Sequence, residues 1–213
     1  MTELGPRFVY YHLENTNPMA QSLLAYDMQG KEREIRLRLK KSFREFLHNV
    51  PRGNVSLENE LEWKKPFTCI AALTACSRAP VPRSQGRKIL IRKPNPEGPG
   101  RVIKQFKKLA TALARVHNTK VINKEIFYVV RKTAIDSIPD VRWAILDVLW
   151  EDSQETGKYS THKSGDFERA LRMPHATVSY ILEDLVLLGL IDKERQEYIL
   201  SDMAIEALEG CFL

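Results

Sequence analysis

The amino-acid sequence predicts a mainly α-helical chain, a helical N-terminal and central region followed by a C-terminal winged helix-turn-helix with a β-hairpin wing. Three observations predict it. Apolar residues recur at three- and four-residue steps along most of the chain. Prolines and glycines crowd into one stretch, Ala79 to Gly100, which excludes a continuous element there. Near the C-terminus a helical segment, a short helix, a tight turn, a strongly apolar helix and a hairpin pattern follow one another in the order of that module.

The 213 residues, 43% of them apolar, suffice for one large or two small cores. Thirty-three Lys and Arg against 27 Asp and Glu leave a net charge of +6, which suits a polyanionic partner without requiring one. Cys69, Cys76 and Cys211 are odd in number and lack C-x-x-C spacing, so small buried thiols are expected rather than a disulfide framework or a metal site. His12, His48, His117, His162 and His175 also lack ligand spacing, and no nucleophile elbow is present. No cofactor or metal is expected, and the chain is expected not to be an enzyme. No apolar run approaches the roughly 18 residues that span a bilayer, and no basic segment leads into an apolar one at the N-terminus. A cytoplasmic protein without a membrane partner is expected.

Residues 1–100 read as a helical region with one N-terminal strand and a basic proline-rich connector. Arg7 to Leu13 is a β-branched and aromatic run after Gly5-Pro6, hence one strand, which needs a pairing partner that the following residues do not supply. Asn17-Pro18 caps a helix that Gly30 breaks. A second helix, about Lys31 to His48, sets Ile35, Leu39, Phe43, Phe46 and Leu47 on one face among Arg33, Arg36, Arg38, Lys40, Lys41 and Arg44. Its basic face is a phosphate-facing surface or, more commonly for such patterns, a solvated one. A polar turn at residues 51–56 precedes a helical stretch from Leu57 to Arg78 that Pro66 should bend or interrupt. In the connector, Arg87 to Lys93 reads as a short strand or an extended arm. Arg83, Arg87, Lys88, Arg92 and Lys93 mark it as a nucleic-acid contact, a subunit contact or a charged linker.

Residues 101–138 read as a lid-like pair of antiparallel helices. Val102, Phe106, Leu109, Leu113 and Val116 line the first, and Asn118-Thr119 ends it. Asn123 caps the second, which turns Ile126, Val129, Val130 and Ala134 inward before Pro139.

Residues 139–213 read as the winged helix-turn-helix domain. Its first helix starts at Asp140 with Val141, Ala144, Ile145, Val148 and Leu149, and a polar loop from Glu151 to Tyr159 follows. A short helix from about Lys163 to Leu171, a turn at Met173-Pro174 and a helix from His175 to Leu188 come next, closed by Gly189. Ile191-Asp192 and Tyr198 to Leu200 then flank Lys193 to Glu197 as a hairpin. In a DNA-binding version the third helix enters the major groove and the wing touches phosphates. The candidates are Arg172 at the turn, His175, Thr177, Ser179 and Tyr180 on the helix, and Lys193 and Arg195 on the wing. Glu183 and Asp184 oppose this, because carboxylates facing phosphate cost affinity.

With these elements placed, the chain resembles the C-terminal portion of AAA+ ATPases of the minichromosome-maintenance-like type, found in helicase-like proteins of bacteria and mobile elements. Leu4 to Leu13 looks like a late core strand, Gly100 to Ala114 with Val121 to Phe127 looks like the helical lid, and the winged helix follows. The resemblance implies that Arg7 matches an arginine near a subunit interface and Arg101 a lid arginine reaching nucleotide phosphate, as vestiges of a nucleotide site. The departure is a missing phosphate loop: G-x-x-x-x-G-K-[ST] occurs nowhere, and Gly157-Lys158-Tyr159 lacks its first glycine and its hydroxyl. The chain alone is therefore expected not to hydrolyse ATP, and to be a fragment or motor-less relative of a replication protein.

Duplex DNA is thus the expected partner. The alternatives are an assembly module, docking on an ATPase subunit or self-associating, and a transcription regulator, for which no sensor motif is recognisable.

Overall fold

A computed structural model describes residues 9–12, 17–50, 57–84, 89–156 and 160–212. These form nine helices and a three-stranded antiparallel sheet. None of the helices described is long and apolar enough to cross a membrane.

The first two helices, α1 (Pro18–Asp27) and α2 (Glu32–Asn49), follow the sequence pattern closely. The Asn17 side chain accepts a hydrogen bond from the Ala20 amide at 2.9 Å, and Gly30 takes φ +82, a conformation other residues adopt only at a cost. Neither helix buries a residue, and Leu39 and Phe43 are both about three-fifths exposed. The apolar stripe read from the periodicity exists, but most of it is left exposed: Leu39, Phe43, Phe46 and Leu47 all face solvent.

The core begins at α3 (Lys64–Ser77), which is buried on almost every side through Phe67, Ile70, Ala71, Leu73, Thr74 and Ala75. The expected helix from Leu57 is shorter than predicted. Leu57 to Trp63 is a turn tied to the far side of the core, where the Glu58 amide donates to the Lys120 carbonyl and Asn59 exchanges two 2.8 Å hydrogen bonds with Ile122. Pro66 then sits in the first turn of α3, where no amide is needed, so it neither bends nor interrupts the helix.

α4 (Gly100–Val116) and α5 (Lys124–Asp136) pack on α3 and on each other. In α4 the buried stripe is Val102, Phe106, Ala110 and Ala114, a strict four-residue step. Leu109 and Leu113 flank it, and Val116, the last residue of the helix, is exposed. Asn123 caps α5 as expected, accepting from the Ile126 amide at 2.9 Å.

The expected N-terminal strand lies in part outside the described residues. Its described portion, residues 9–12, pairs with no strand. Instead the Tyr10 amide donates to Ser137 Oγ at 2.9 Å and the His12 amide to Asp136 Oδ2 at 2.7 Å, so side chains at the end of α5 satisfy the backbone.

The C-terminal unit starts with α6 (Asp140–Thr156), which runs on through the stretch expected to be a loop from Glu151. Ser153 is buried inside it and returns its hydroxyl to the Trp150 carbonyl at 2.7 Å, which lets a polar residue occupy an inward position of the continuing helix. A short strand, β1 (His162–Lys163), then α7 (Ser164–Leu171), α8 (His175–Leu187), β2 (Ile191–Glu194) and β3 (Glu197–Leu200) follow, with sheet order β1-β3-β2. The hairpin strands extend to a turn of only Arg195 and Gln196, tighter than the five-residue tip expected. β1 was not legible: two polar residues carry no alternation, and it forms because β3 offers an edge.

A further helix, α9 (Asp202–Cys211), closes the chain. Ser201 caps it, accepting from the Ala204 amide at 3.2 Å while donating to the Gly189 carbonyl at 2.8 Å. α9 returns to pack along α3 through Ala204, Ala207, Leu208 and Cys211. The buried apolar residues from Phe67 to Cys211 thereby join into one continuous cluster.

Candidate nucleic-acid interface

α8 is positioned from below and from one side. Val178, Leu182 and Leu185 are fully buried, which fixes its inward face against α6 and α7. Arg172, just before the turn, takes φ 52 and ψ 42 and is exposed. This left-handed geometry ends α7 and lets Pro174 start the next helix two residues later.

The predicted contact residues divide by environment. His175 and Thr177 are exposed at the first turn of α8, while Ser179 and Tyr180 are half-buried. His175 is tied across the turn: its Nδ1 lies 2.5 Å from Glu168 Oε1 on α7 and its Nε2 3.4 Å from Ser179 Oγ. On the hairpin, Lys193 stands opposite Tyr198 with its ammonium 5.4 Å from the ring centroid, and Arg195 occupies the turn with φ 57. Strand alternation puts Asp192 and Glu194 on the other side of β2 from Lys193. A shallow notch lined by Lys163, Arg169 and Lys193 separates the hairpin from the start of α7. Asp166 stands in the same notch, accepting from the Lys163 amide at 2.8 Å. That hydrogen bond, with the charge of Arg169 beside it, holds its carboxyl below the usual range.

The carboxylates that opposed a nucleic-acid reading have specific partners. Arg83 Nη2 lies 2.8 Å from both Glu183 Oε2 and Asp184 Oδ1, its Nε 3.1 Å from Asp184, and its guanidinium 5.4 Å from the centroid of Tyr180. Burial alone would lower the Arg83 pKa, but the hydrogen bonds to Asp184 and Glu183 outweigh it and the value rises. Arg142 of α6 reaches the other Asp184 oxygen at 3.1 Å and donates to the carbonyls of Ser77 and Ala79 at 2.7 and 2.8 Å. Three elements are thus pinned at Asp184: the end of α3, α6 and α8.

This reassigns one predicted contact. Arg83, one of the connector cations read as a nucleic-acid contact, a subunit contact or part of a charged linker, has a side chain 14% exposed and turned onto α8, because two carboxylates within bonding distance outcompete solvent for it. Arg92 and Lys93 are exposed, as a contact surface requires. Arg7, Arg87 and Lys88 lie outside the described residues. Arg101, expected as a vestigial nucleotide arginine, pairs with Glu97 through Nε at 2.8 Å and Nη2 at 2.5 Å, and the same carboxylate holds the buried Arg78. Arg101 therefore serves to staple the end of the connector to α4.

No family model, no curated protein and no solved structure matches the chain.

Sequence reasoning missed Arg142 and the partners of Glu183 and Asp184. The signal was present: Arg142 follows Val141 and precedes Trp143 and Ala144, a lone cation in an apolar helix start, which points to a buried acceptor. No group of three or more His, Cys, Asp or Glu side chains among the described residues is placed to hold a metal ion. Cys211 is pushed up to about 12 by burial, with Cys69 nearby adding to it, so it stays a neutral thiol at ordinary pH.

Proposed function

We propose that the segment from α6 through β3 is a winged helix-turn-helix that binds duplex DNA, with the first half of α8 in the major groove and the β2–β3 turn on backbone phosphate. The helix, strand, two helices and hairpin, with the strand order β1-β3-β2, support the fold reading. The observation that carries the function is the charge arrangement of α8. Residues His175 to Leu182 include no acid, and the acids beyond them, Glu183 and Asp184, are matched by Arg83 and Arg142. A duplex approaching the helix start meets an exposed imidazole and hydroxyl, and Lys193 and Arg195 on the hairpin are exposed as well.

The family resemblance belongs to the same proposal. A lid and winged helix without a motor would contribute DNA contact to replication and no hydrolysis of its own.

Fluorescence anisotropy with duplex and single-stranded DNA at two salt concentrations tests it. Binding to duplex should weaken steeply with salt, since each neutralised phosphate releases counterions. Reversing Lys193 and Arg195 to Glu should abolish it. Undetectable or salt-independent binding to mixed duplexes refutes the reading.

A second reading, an assembly module meeting an ATPase subunit or another copy of this chain, is favoured by α1 and α2, which bury no residue. Under that reading Leu39→Asp with Phe43→Asp lowers the mass measured by light scattering and leaves DNA binding unchanged.

A further inference from the structure

The connector meets α8 at Arg83. Val81 to Ser84 and Ile89 to Ile91 run antiparallel: Arg83 and Leu90 form a bridge, the Ser84 amide donates to the Ile89 carbonyl at 2.8 Å, and the Ile91 amide to the Pro82 carbonyl at 2.9 Å. One strand of this arm is fastened to α8 by the guanidinium of Arg83. The other strand leads within two residues to Arg92 and Lys93, both exposed, before buried Pro94 returns the chain to the body. Leu90 lies directly across from Arg83, and Arg92 follows two residues later at a bend, so ladder spacing puts its backbone roughly 8 Å from that of Arg83. Arg83 fastens the arm to α8 and a major groove is about 12 Å wide, so the long side chains of Arg92 and Lys93 would have the flanking phosphates within reach of a groove-bound α8.

Arg83 also changes what α8 presents. Unmatched, Glu183 and Asp184 would put two negative charges one turn from Tyr180. Paired with Arg83 and Arg142, they leave that stretch of helix close to neutral. Glu183 is still 55% exposed, so its pairing rests on the arm staying in place.

We infer that the connector arm is a second nucleic-acid contact, with Arg92 and Lys93 on phosphates flanking the groove that α8 enters, and that Arg83 is the positioning residue that holds the arm there and masks the helix carboxylates. This rests on the DNA-binding reading above. The arm and the hairpin turn would then engage the duplex from two sides of α8, where the hairpin alone would engage one.

The test uses the full chain and a mixed-sequence duplex, with anisotropy read across a salt series. Replacing Arg92 and Lys93 together by Ala should reduce the magnitude of the salt slope by about two, which at 0.1 M salt is a loss of roughly 60-fold in affinity. Arg83→Ala should also weaken binding. Adding Glu183→Gln to Arg83→Ala should recover part of the loss, whereas a merely structural role for Arg83 predicts no recovery. Lys193→Ala with Arg195→Ala serves as the control for the underlying reading. If the hairpin control weakens binding while the arm variant keeps the parent slope and affinity, the inference is overturned and the DNA reading stands. If the parent protein binds no duplex, both are overturned. The exposed pair Arg92 and Lys93 keeps the test decisive even if Arg83→Ala fails to fold.

Discussion

Gly210 offers the sharpest test of how the C-terminal unit is held to the rest. A Cβ built at Gly210 would fall 2.5 Å from Cys69 Sγ and 2.6 Å from Cys69 Cβ. Ordinary contact between such atoms is about 3.5 to 4 Å, so Gly210→Ala creates an overlap of roughly 1 Å. Rotating the thiol away does not relieve it, because the Cys69 Cβ is fixed to the α3 backbone. α9 must therefore move off α3, loosening Ala207, Leu208 and Cys211 along with it. Overpacking of this kind costs about 1 to 3 kcal/mol, while the gain in helix propensity from Gly to Ala is at most about 1 kcal/mol and smaller at the last turn. The clash wins, and a net loss of about 2 kcal/mol should lower Tm by roughly 4 to 8 °C in a chain of this size. Thermal unfolding followed by circular dichroism reads it. Gly165→Ala is the matched control, since a Cβ there meets nothing within 4 Å. If Gly210→Ala melts at or above the parent temperature, α9 does not approach α3 at Gly210 as described, and the continuity of the core is wrong.

Two further predictions concern charge. Arg142→Ala strips partners from the carbonyls of Ser77 and Ala79 and from Asp184, all at a site where the arginine side chain is 12% exposed, so urea unfolding should show a loss of about 3 kcal/mol; a change under 1 kcal/mol would mean that water replaces it without cost. Burial on α6, with the charge of Glu151 adding to it, raises the Asp147 carboxyl above the usual 3.8, so the folded state holds its proton to higher pH than the unfolded state does and stability falls as pH climbs through that interval. Asp147→Asn should therefore be the more stable protein at pH 7, with the advantage disappearing below about pH 4; an advantage independent of pH would rule out ionisation as its cause.

What the sequence made legible was whatever depended on local pattern. Asn17, Asn123 and Gly189 are local signals with one physical use each, and their helices begin or end where expected. The helices of the C-terminal unit were legible because buried residues such as Val178, Leu182 and Leu185 repeat at helical steps. What stayed hidden depended on partners distant in sequence. β1 has no pattern of its own and exists only opposite Tyr198 and Glu197. Helix α9 was passed over because Ala204, Ala207 and Gly210 are too small to mark a stripe, yet small residues are what close approach to α3 demands.

The same limit shaped the reading of the candidate site. Individually, Arg83 looked like a nucleic-acid contact, a subunit contact or linker charge, and Glu183 with Asp184 like an objection to phosphate binding. Their separation of about a hundred residues concealed that each accounts for the other. Placing them together removes a cation from the predicted contact surface and two anions from the opposing ledger. The acids that remain are Glu168, bonded to His175 at the start of α8, and Asp192, Glu194 and Glu197 on the hairpin, which strand alternation turns to the face away from Lys193. The proposed DNA contact thus depends less on net charge, which many proteins share, than on where Arg83 and Arg142 sit against Glu183 and Asp184.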